Sequence, residues 1–200
     1  VAASRLPAYL LRAVLTSRSF SQDAMPDSQT DSLSLLADLI AQAKKAGADA
    51  ADAVLAEGES LSHGQRLGKL EKIERAEGKD LGLRVFIGQR SATVSSTDFR
   101  KDALREAVER AIAMAKLAPE DKYAGIAEAG QLAKSWPEID MLDSAEPTPE
   151  QLAERAGTIE EAALAVSGVS NSEGAEASWG RSTVTLVTSA GAVEGRMTLP

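Results

Sequence analysis

The sequence predicts an α+β fold: an antiparallel β-meander covered by helices, followed by a third helix and a C-terminal β-hairpin. Helical spacing of apolar residues near 32–46 and 101–117 indicates two covering helices. Between them, residues 50–97 alternate apolar and polar positions and are interrupted by glycines, which is typical of strands joined by turns. Because 44% of the residues are apolar but only 4% are aromatic, we expect a core of alanine, leucine, valine and isoleucine.

The first helix is predicted from about Ser32 to Ala46. Asp31 or Ser32 can cap its start, and Gly47 suits the position just after its end. Its apolar residues recur at i, i+3, i+4 and i+7, which places them on one face. These residues are Leu33, Leu36, Ala37 and Ile40.

Glycines in the β-rich block recur every ten residues, the spacing of one strand plus one turn. The segments between them do not resemble one another, so we interpret the block as an antiparallel meander rather than a repeat. The predicted turns lie at Gly58, Gly68, Gly78 and Gly88.

The stretch "GLRVFIGQRSATVSS" at 82–96 is the most regular hairpin of this block. Gly88-Gln89 places glycine first in a two-residue loop, which favours a type II′ turn. The alternation puts four apolar side chains on the face that a helix is expected to cover. They are Leu81, Leu83, Val85 and Ile87.

The second helix is predicted over 101–117 and is ended by Pro119. Its start lacks a strong cap, which leaves Asp98 as the available capping residue. Its apolar stripe is expected to lie on the sheet. The stripe consists of Leu104, Ala107, Val108, Ala111, Met114 and Ala115.

The third helix has a distinct start, with Thr148 as the cap, Pro149 in the first turn and Gln151 completing a capping box. We expect its buried face to consist of Leu152, Ala156, Ile159 and Ala163. Beyond it, "NSEG" favours a turn, and a strand, a turn at 179–181 and the strand "STVTLVTS" are predicted.

Residues 1–30 are predicted to form a leader outside the domain. The first 22 residues carry Arg5, Arg12 and Arg18 but no acidic residue, a composition that fits a targeting peptide. Met25, just ahead of the first helix, instead favours an upstream tail without fixed structure. Composition leaves both interpretations open.

Charge and composition exclude several classes of function. The net charge of −8 argues against direct nucleic-acid binding, and no apolar run approaches the ~18 residues of a membrane span. The chain has no cysteine and one histidine, which excludes disulfides, a cysteine nucleophile and a histidine-rich zinc site within it. We therefore expect no cofactor in this chain, and a cytoplasmic location fits.

The candidate reactive residues are few. His63, in "SLSHGQR", is expected to be solvated at a polar strand end, since the sequence nominates no nucleophile or carboxylate beside it. The acids of "EIDMLDSAE" lack calcium-loop spacing and are expected to be solvated as well. The sequence thus predicts no catalytic, cofactor-binding or metal-binding residue, and it leaves substrate-binding residues unassigned.

Four stretches, in this order, resemble the N-terminal domain of the TldD/PmbA family, also known as modulators of DNA gyrase. They are "AGADAADAVLAEGESLS", "LEKIERAEGKDLGLRVFIGQRSATVSSTD", "LREAVERAIAMAKLAPEDKYAG" and "GVSNSEGAEASWGRSTVTLVTSAG". The run "NSEGAEASWGRS" is similar to the PmbA (TldE) branch. The resemblance covers 31–191.

This resemblance implies a role in peptide processing. Proteins of the family resemble heteromeric, cytoplasmic proteases that act on small unfolded peptides, including antitoxins and peptide-antibiotic precursors. The family's metal-binding histidines belong to the TldD-type partner, so the resemblance implies a TldD-like subunit and a peptide as partners. It also implies that this chain is not catalytic by itself, and whether it is part of an enzyme is left open.

The chain departs from the family pattern at its end. Residues 192–200, "AVEGRMTLP", do not resemble the family's continuation, and the family's C-terminal half does not follow. A frameshift or a premature stop would account for this.

The alternative function is a stand-alone peptide-binding module that uses an exposed sheet edge.

Overall fold

The computed structural model describes residues 28–199 apart from 129, 132–134, 136 and 138. The leader predicted over 1–30 lies outside this range except for its last three residues, which are helical. The described elements are α1 (Ser28–Lys45), β1 (Ala50–Arg66), β2 (Lys69–Ile87), β3 (Arg90–Ser96), α2 (Lys101–Leu117), α3 (Pro149–Leu164), β4 (Ala175–Thr188) and β5 (Gly191–Leu199). None of these helices is long and apolar enough to cross a membrane.

The strands form one sheet in the order β3-β2-β1-β4-β5, and the α+β fold class is confirmed. β2 and β3 pair antiparallel from Leu81 opposite Ser96 to Ile87 opposite Arg90. β1 and β4 also run in opposite directions. Ser189 N–H, just after β4, donates to the Ala51 carbonyl at the start of β1 (2.8 Å). Gly174, just before β4, lies against Gln65 near the end of β1.

The predicted turns of the meander are half correct. Gly68 and Gly88 lie in turns with positive φ, but Gly58 and Gly78 lie inside strands of 17 and 19 residues. At Gly58 a Cβ would come within 3.3 Å of the Ser182 hydroxyl, so this glycine permits close approach of β4 instead of reversing the chain. The expected turn at 179–181 is likewise wrong, because β4 runs through it without interruption.

The chain divides into two compact units. Unit 1 comprises the residues up to Ala56, Asp80–Pro137 and Val184–Gly195. Unit 2 comprises Glu57–Lys79, Glu138–Thr183 and the residues from Arg196. The residues from 192 on, which depart from the family pattern, lie almost entirely in strand β5.

Unit 1 holds the larger hydrophobic core, formed by aliphatic side chains and alanines as the composition predicts. α2 packs against β3 and α1, and the predicted strand face at Leu81, Leu83 and Val85 is buried. In the predicted stripe of α2, Met114 is 46% exposed and Ile112 is buried. The helices therefore cover the sheet in this unit as expected.

The start of α2 differs from the prediction. The N-cap residue is Arg100, which makes no side-chain capping bond. Asp98 instead accepts hydrogen bonds from the Arg100 backbone N–H and from its guanidinium, both at 3.0 Å. The guanidinium and backbone hydrogen bonds from Arg100 lower the pKa of Asp98 to about 2. Asp98 therefore orders the residue that precedes the helix but does not cap the helix.

Unit 2 has a small core of Leu61, Leu152 and Trp179, with Ala177 packed against it. The predicted capping box of α3 is confirmed, because the Thr148 hydroxyl accepts from Gln151 N–H and the Gln151 side chain accepts from Thr148 N–H. The predicted buried face of this helix is correct for Leu152 and Ala156 and wrong for the other two residues. Ile159 is 56% exposed and Ala163 is exposed, whereas Glu160 is buried.

Candidate functional site

His63 is buried, contrary to the prediction of a solvated histidine. Its exposed fraction is 7%, and its Nδ1 atom has no hydrogen-bond partner among the described residues. Leu61, His63 and Gln65 alternate along β1 and share one face of the strand. Because β1 continues through Gly58 to Arg66, His63 lies inside this strand and not at a polar strand end.

Trp179 contributes a second buried polar atom to unit 2. Its exposed fraction is 7%, and its Nε1–H has no acceptor among the described residues. The Arg181 guanidinium lies over its ring, 5.4 Å from the centroid. The sequence predicts a turn at this tryptophan, but in the structure it lies in β4 and contributes to the unit 2 core.

Glu160, on α3, is a buried carboxylate with several hydrogen-bond donors, and the sequence pattern did not indicate it. It is 2% exposed and accepts backbone N–H bonds from Leu67 (2.7 Å) and Gly68 (3.0 Å). Gln65 Nε2 donates at 3.1 Å. The Gly68 N–H, followed by the Ser172 hydroxyl, lowers the pKa of this carboxyl to about 2. Glu160 is thus ionised at neutral pH and fixes α3 to the β1–β2 turn.

The β1–β2 turn explains why such a carboxylate is needed. Leu67 and Gly68 both have positive φ (48° and 70°), as in a type I′ turn. Leucine is unfavourable in this conformation, at a cost of about 1 kcal/mol or more. Glu160 binds the N–H groups of both turn residues and so stabilises the strained backbone.

Four side chains form a closed ring of ion pairs in unit 2, which we call the arginine–glutamate ring. Glu59 on β1 contacts Arg75 at 3.3 Å and Arg181 at a shorter distance. Glu146, just before α3, contacts Arg181 at 3.6 Å and Arg75 at 4.0 Å. Glu146 was expected to be solvated; it is 44% exposed and fixes the segment before α3 to the strands. Salt and solvent screen the ring, so each pair contributes little by itself.

Gly174 lies close to the backbone of Gln65, and a substitution at this glycine tests that close approach. Its φ is +118°, and a Cβ there would come within 2.9 Å of the Gln65 carbonyl oxygen. We expect Gly174→Ala to destabilise the protein by roughly 1–3 kcal/mol in urea denaturation. Gly78→Ala is the control, since a Cβ there meets nothing within 4 Å, and it should change stability by less than about 0.5 kcal/mol. Equal effects of the two substitutions would contradict the close approach.

The Glu160 carboxylate already accepts hydrogen bonds from Leu67 and Gly68. Among the described residues, the Nδ1 atom of His63 has no hydrogen-bond partner. Within the described part of the chain, no group of three or more His, Asp or Glu side chains could hold a metal ion. In unit 2, Glu160 thus joins α3 to the β1–β2 turn, and the arginine–glutamate ring joins the segment before α3 to the strands.

Comparison with known proteins shows that part of this α+β domain is similar to a domain found in metallopeptidases. Residues 51–115 match the model of the PmbA/TldA metallopeptidase domain 1. That segment includes β1, β2, β3 and most of α2. The segment 51–115 is therefore similar to the first domain of PmbA/TldD-type proteins.

Two curated relatives agree with this assignment. The chain is 32% identical over 127 residues to the metalloprotease PmbA of Escherichia coli O157:H7, covering 63% of this chain and 28% of that protein. It is 34% identical over 134 residues to a PmbA homologue of Haemophilus influenzae, covering 66% of this chain and 30% of that protein. The chain thus matches less than a third of the length of either relative.

Solved structures share the fold at low sequence identity. A candidate modulator of DNA gyrase from Bacteroides thetaiotaomicron superposes with a TM-score of 0.74 at 20% identity, covering 87% of this chain and 40% of that one. TldE from Thermococcus kodakarensis gives 0.66 at 18% identity, covering 82% and 37%. These comparisons support the fold independently of the family match.

Proposed function

We propose that this chain provides a non-catalytic N-terminal domain to a PmbA/TldD-type metallopeptidase complex that acts on small unfolded peptides. The observation that carries the proposal is the match of residues 51–115 to the first domain of that family. The chemistry of unit 2 supports a structural role. Glu160 is bound to backbone donors, and Glu59 and Glu146 are paired with Arg75 and Arg181.

In this proposal the reactive metal and its ligands belong to a TldD-type partner subunit. The present chain would shape the wall of a peptide-binding chamber and contribute an interface to that partner. We further propose a cytoplasmic location and no direct contact with nucleic acid, since the net charge of −8 disfavours binding to phosphates.

Co-purification tests this function. The chain, both as it stands and joined to the remaining portion of a PmbA relative, is co-expressed with a tagged TldD-type protein from the same cell. We expect the joined protein to co-purify and to be required for degradation of an unfolded peptide. If the joined protein neither binds the partner nor affects its peptidase activity, the proposal is wrong.

A second candidate function is that of a stand-alone peptide-binding module, and the edge of β2 favours it. β3 pairs with Leu81–Ile87 only, and all twelve residues from Lys69 to Asp80 are exposed. In the described part of the chain, no strand lies along this side of Lys69–Asp80. An extended peptide could add to this edge through backbone hydrogen bonds.

Calorimetric titration of the chain with unstructured peptides of mixed sequence tests this second function. Saturable heat that disappears when the peptide backbone is N-methylated would support strand addition. A flat titration across the peptide set would rule it out.

A further inference from the structure

The exposed edge of β2 carries an unusual charge pattern. From Lys69 to Glu77 the sequence is "KLEKIERAE", and Ile73 lies at its centre. Positions at equal distance on either side of Ile73 have opposite charge or are both apolar. The pairs are Lys72 with Glu74, Glu71 with Arg75, Leu70 with Ala76, and Lys69 with Glu77.

Two copies of an edge strand can pair antiparallel about a two-fold axis perpendicular to the sheet. Such an axis keeps each side chain on its own face, so one residue of the strand must lie opposite its own copy. With Ile73 at the axis, every charged residue from Lys69 to Glu77 lies opposite a residue of the other sign. Opposite charges at directly opposed positions stabilise a strand pair, and like charges destabilise it.

Neighbouring registers do not share this complementarity. With Glu74 at the axis, Glu74 opposes its own copy, Glu71 opposes Glu77 and Lys69 opposes Lys79. With Lys72 at the axis, Lys72 opposes its own copy and Lys69 opposes Arg75. Charged side chains on an edge strand ordinarily prevent pairing. On this edge the charges instead favour a single register of pairing.

We propose that this edge binds a second copy of the same chain, by antiparallel pairing of Lys69–Glu77 with its symmetry mate about Ile73. The segment is available for this, since Leu70 and Ile73 are 58% and 52% exposed. Lys72 and Glu74 already form an ion pair of 2.5 Å within one copy, with both side chains more than half exposed. In the dimer these two residues and their copies form a cluster of four alternating charges around the axis.

Exchanging the charges of Lys72 and Glu74 tests this register. Dimerisation is measured by sedimentation velocity over a range of concentrations at low salt. Lys72→Glu and Glu74→Lys each replace two opposite-charge pairs with two like-charge pairs, so each should raise the dimer Kd by about tenfold or more. The exchanged variant, with both substitutions, should dimerise like the wild type. The two single variants mixed together should form a heterodimer, because their charges are complementary only across the interface.

Lys101→Glu is the control, since it makes the same change of charge at the start of α2, which belongs to unit 1 and not to this strand segment. It should leave the dimer Kd unchanged. Higher salt should weaken the wild-type dimer, because exposed ion pairs are screened.

Cross-linking gives a second, independent measurement, because the chain contains no cysteine. Directly opposed residues of antiparallel strands have Cα atoms about 4.5–5.5 Å apart, within disulfide range. Ile73→Cys should therefore form a disulfide-linked dimer on mild oxidation, and Glu74→Cys should form much less.

Three results would overturn the proposal. The first is a wild-type chain that stays monomeric at every concentration, together with an Ile73→Cys variant that forms no disulfide-linked dimer. The second is dimerisation that Lys72→Glu and Glu74→Lys leave unchanged, which would locate the interface elsewhere. The third is a monomer that binds an unstructured peptide along Lys69–Glu77, which would make the peptide the occupant of this edge.

Discussion

Replacing Leu152 with alanine is expected to destabilise the protein by about 2–5 kcal/mol, because the side chain is fully buried in a core with few other members. Leu61 and Trp179 are the other buried residues of that cluster, so neighbouring atoms can fill little of the space left behind. Loss of this contact should also loosen α3 from the strands of unit 2. Denaturant unfolding followed by tryptophan fluorescence measures the change, with Trp136→Phe as the background so that Trp179 is the sole reporter.

Ile159→Ala is the matched control for this prediction, since it removes an aliphatic side chain from the same helix at a position that is 56% exposed. We expect it to change stability by less than about 1 kcal/mol. The sequence pattern placed both residues on the buried face of α3. If Ile159→Ala proved as costly as Leu152→Ala, the face predicted from periodicity would be correct and the orientation of α3 would be wrong.

The helices of this protein were predictable because local signals fix them. The capping box at Thr148 and Gln151 and the end of α2 before Pro119 depend on residues adjacent in sequence. The strand lengths were less predictable, because a glycine inside a strand and a glycine in a turn look alike in sequence. Gly58 and Gly68 differ in features that the sequence does not show: Gly58 lies beside Ser182 in a neighbouring strand, and Gly68 has a φ of +70°.

The residues of unit 2 were missed for a related reason. A helical pattern of apolar residues does not predict a buried glutamate. Glu160 nevertheless takes the buried position, because the N–H groups of Leu67 and Gly68 and the Gln65 amide converge on its carboxylate. These donors are more than 90 residues away along the chain. The only signal was the turn predicted at Gly68, which does not indicate the group that binds it.

Removing the Glu160 carboxylate should be the other strongly destabilising change. Glu160→Gln keeps the size of the side chain but loses the negative charge that accepts the N–H bonds of Leu67 and Gly68. Glu160→Ala leaves both donors and the Gln65 amide without this partner. We expect both variants to lower the melting temperature, alanine more than glutamine, and to speed amide exchange at 65–68. Glu161→Gln, at the next and exposed position of the same helix, should change neither quantity.

The pH dependence of stability distinguishes a bound carboxylate from one that only fills space. The folded-state pKa of Glu160 is lowered from 4.5 to about 2, so its contribution is fully present above 4.5 and is lost as the pH falls towards 2. Asp98 titrates in the same window in all variants, so the informative quantity is the difference between the wild type and Glu160→Gln. This difference should be large at neutral pH and should shrink steadily between pH 4.5 and 2.

Relief of the strained turn provides the final arm of this experiment. Leu67→Asn introduces a residue that tolerates positive φ, so it should recover part of the stability lost in Glu160→Ala. The same substitution should help the wild type less if Glu160 already offsets the strain, and the double-mutant cycle measures that coupling. A pH-independent difference together with simple additivity would mean that Glu160 acts by packing alone, and the account of this turn would be wrong.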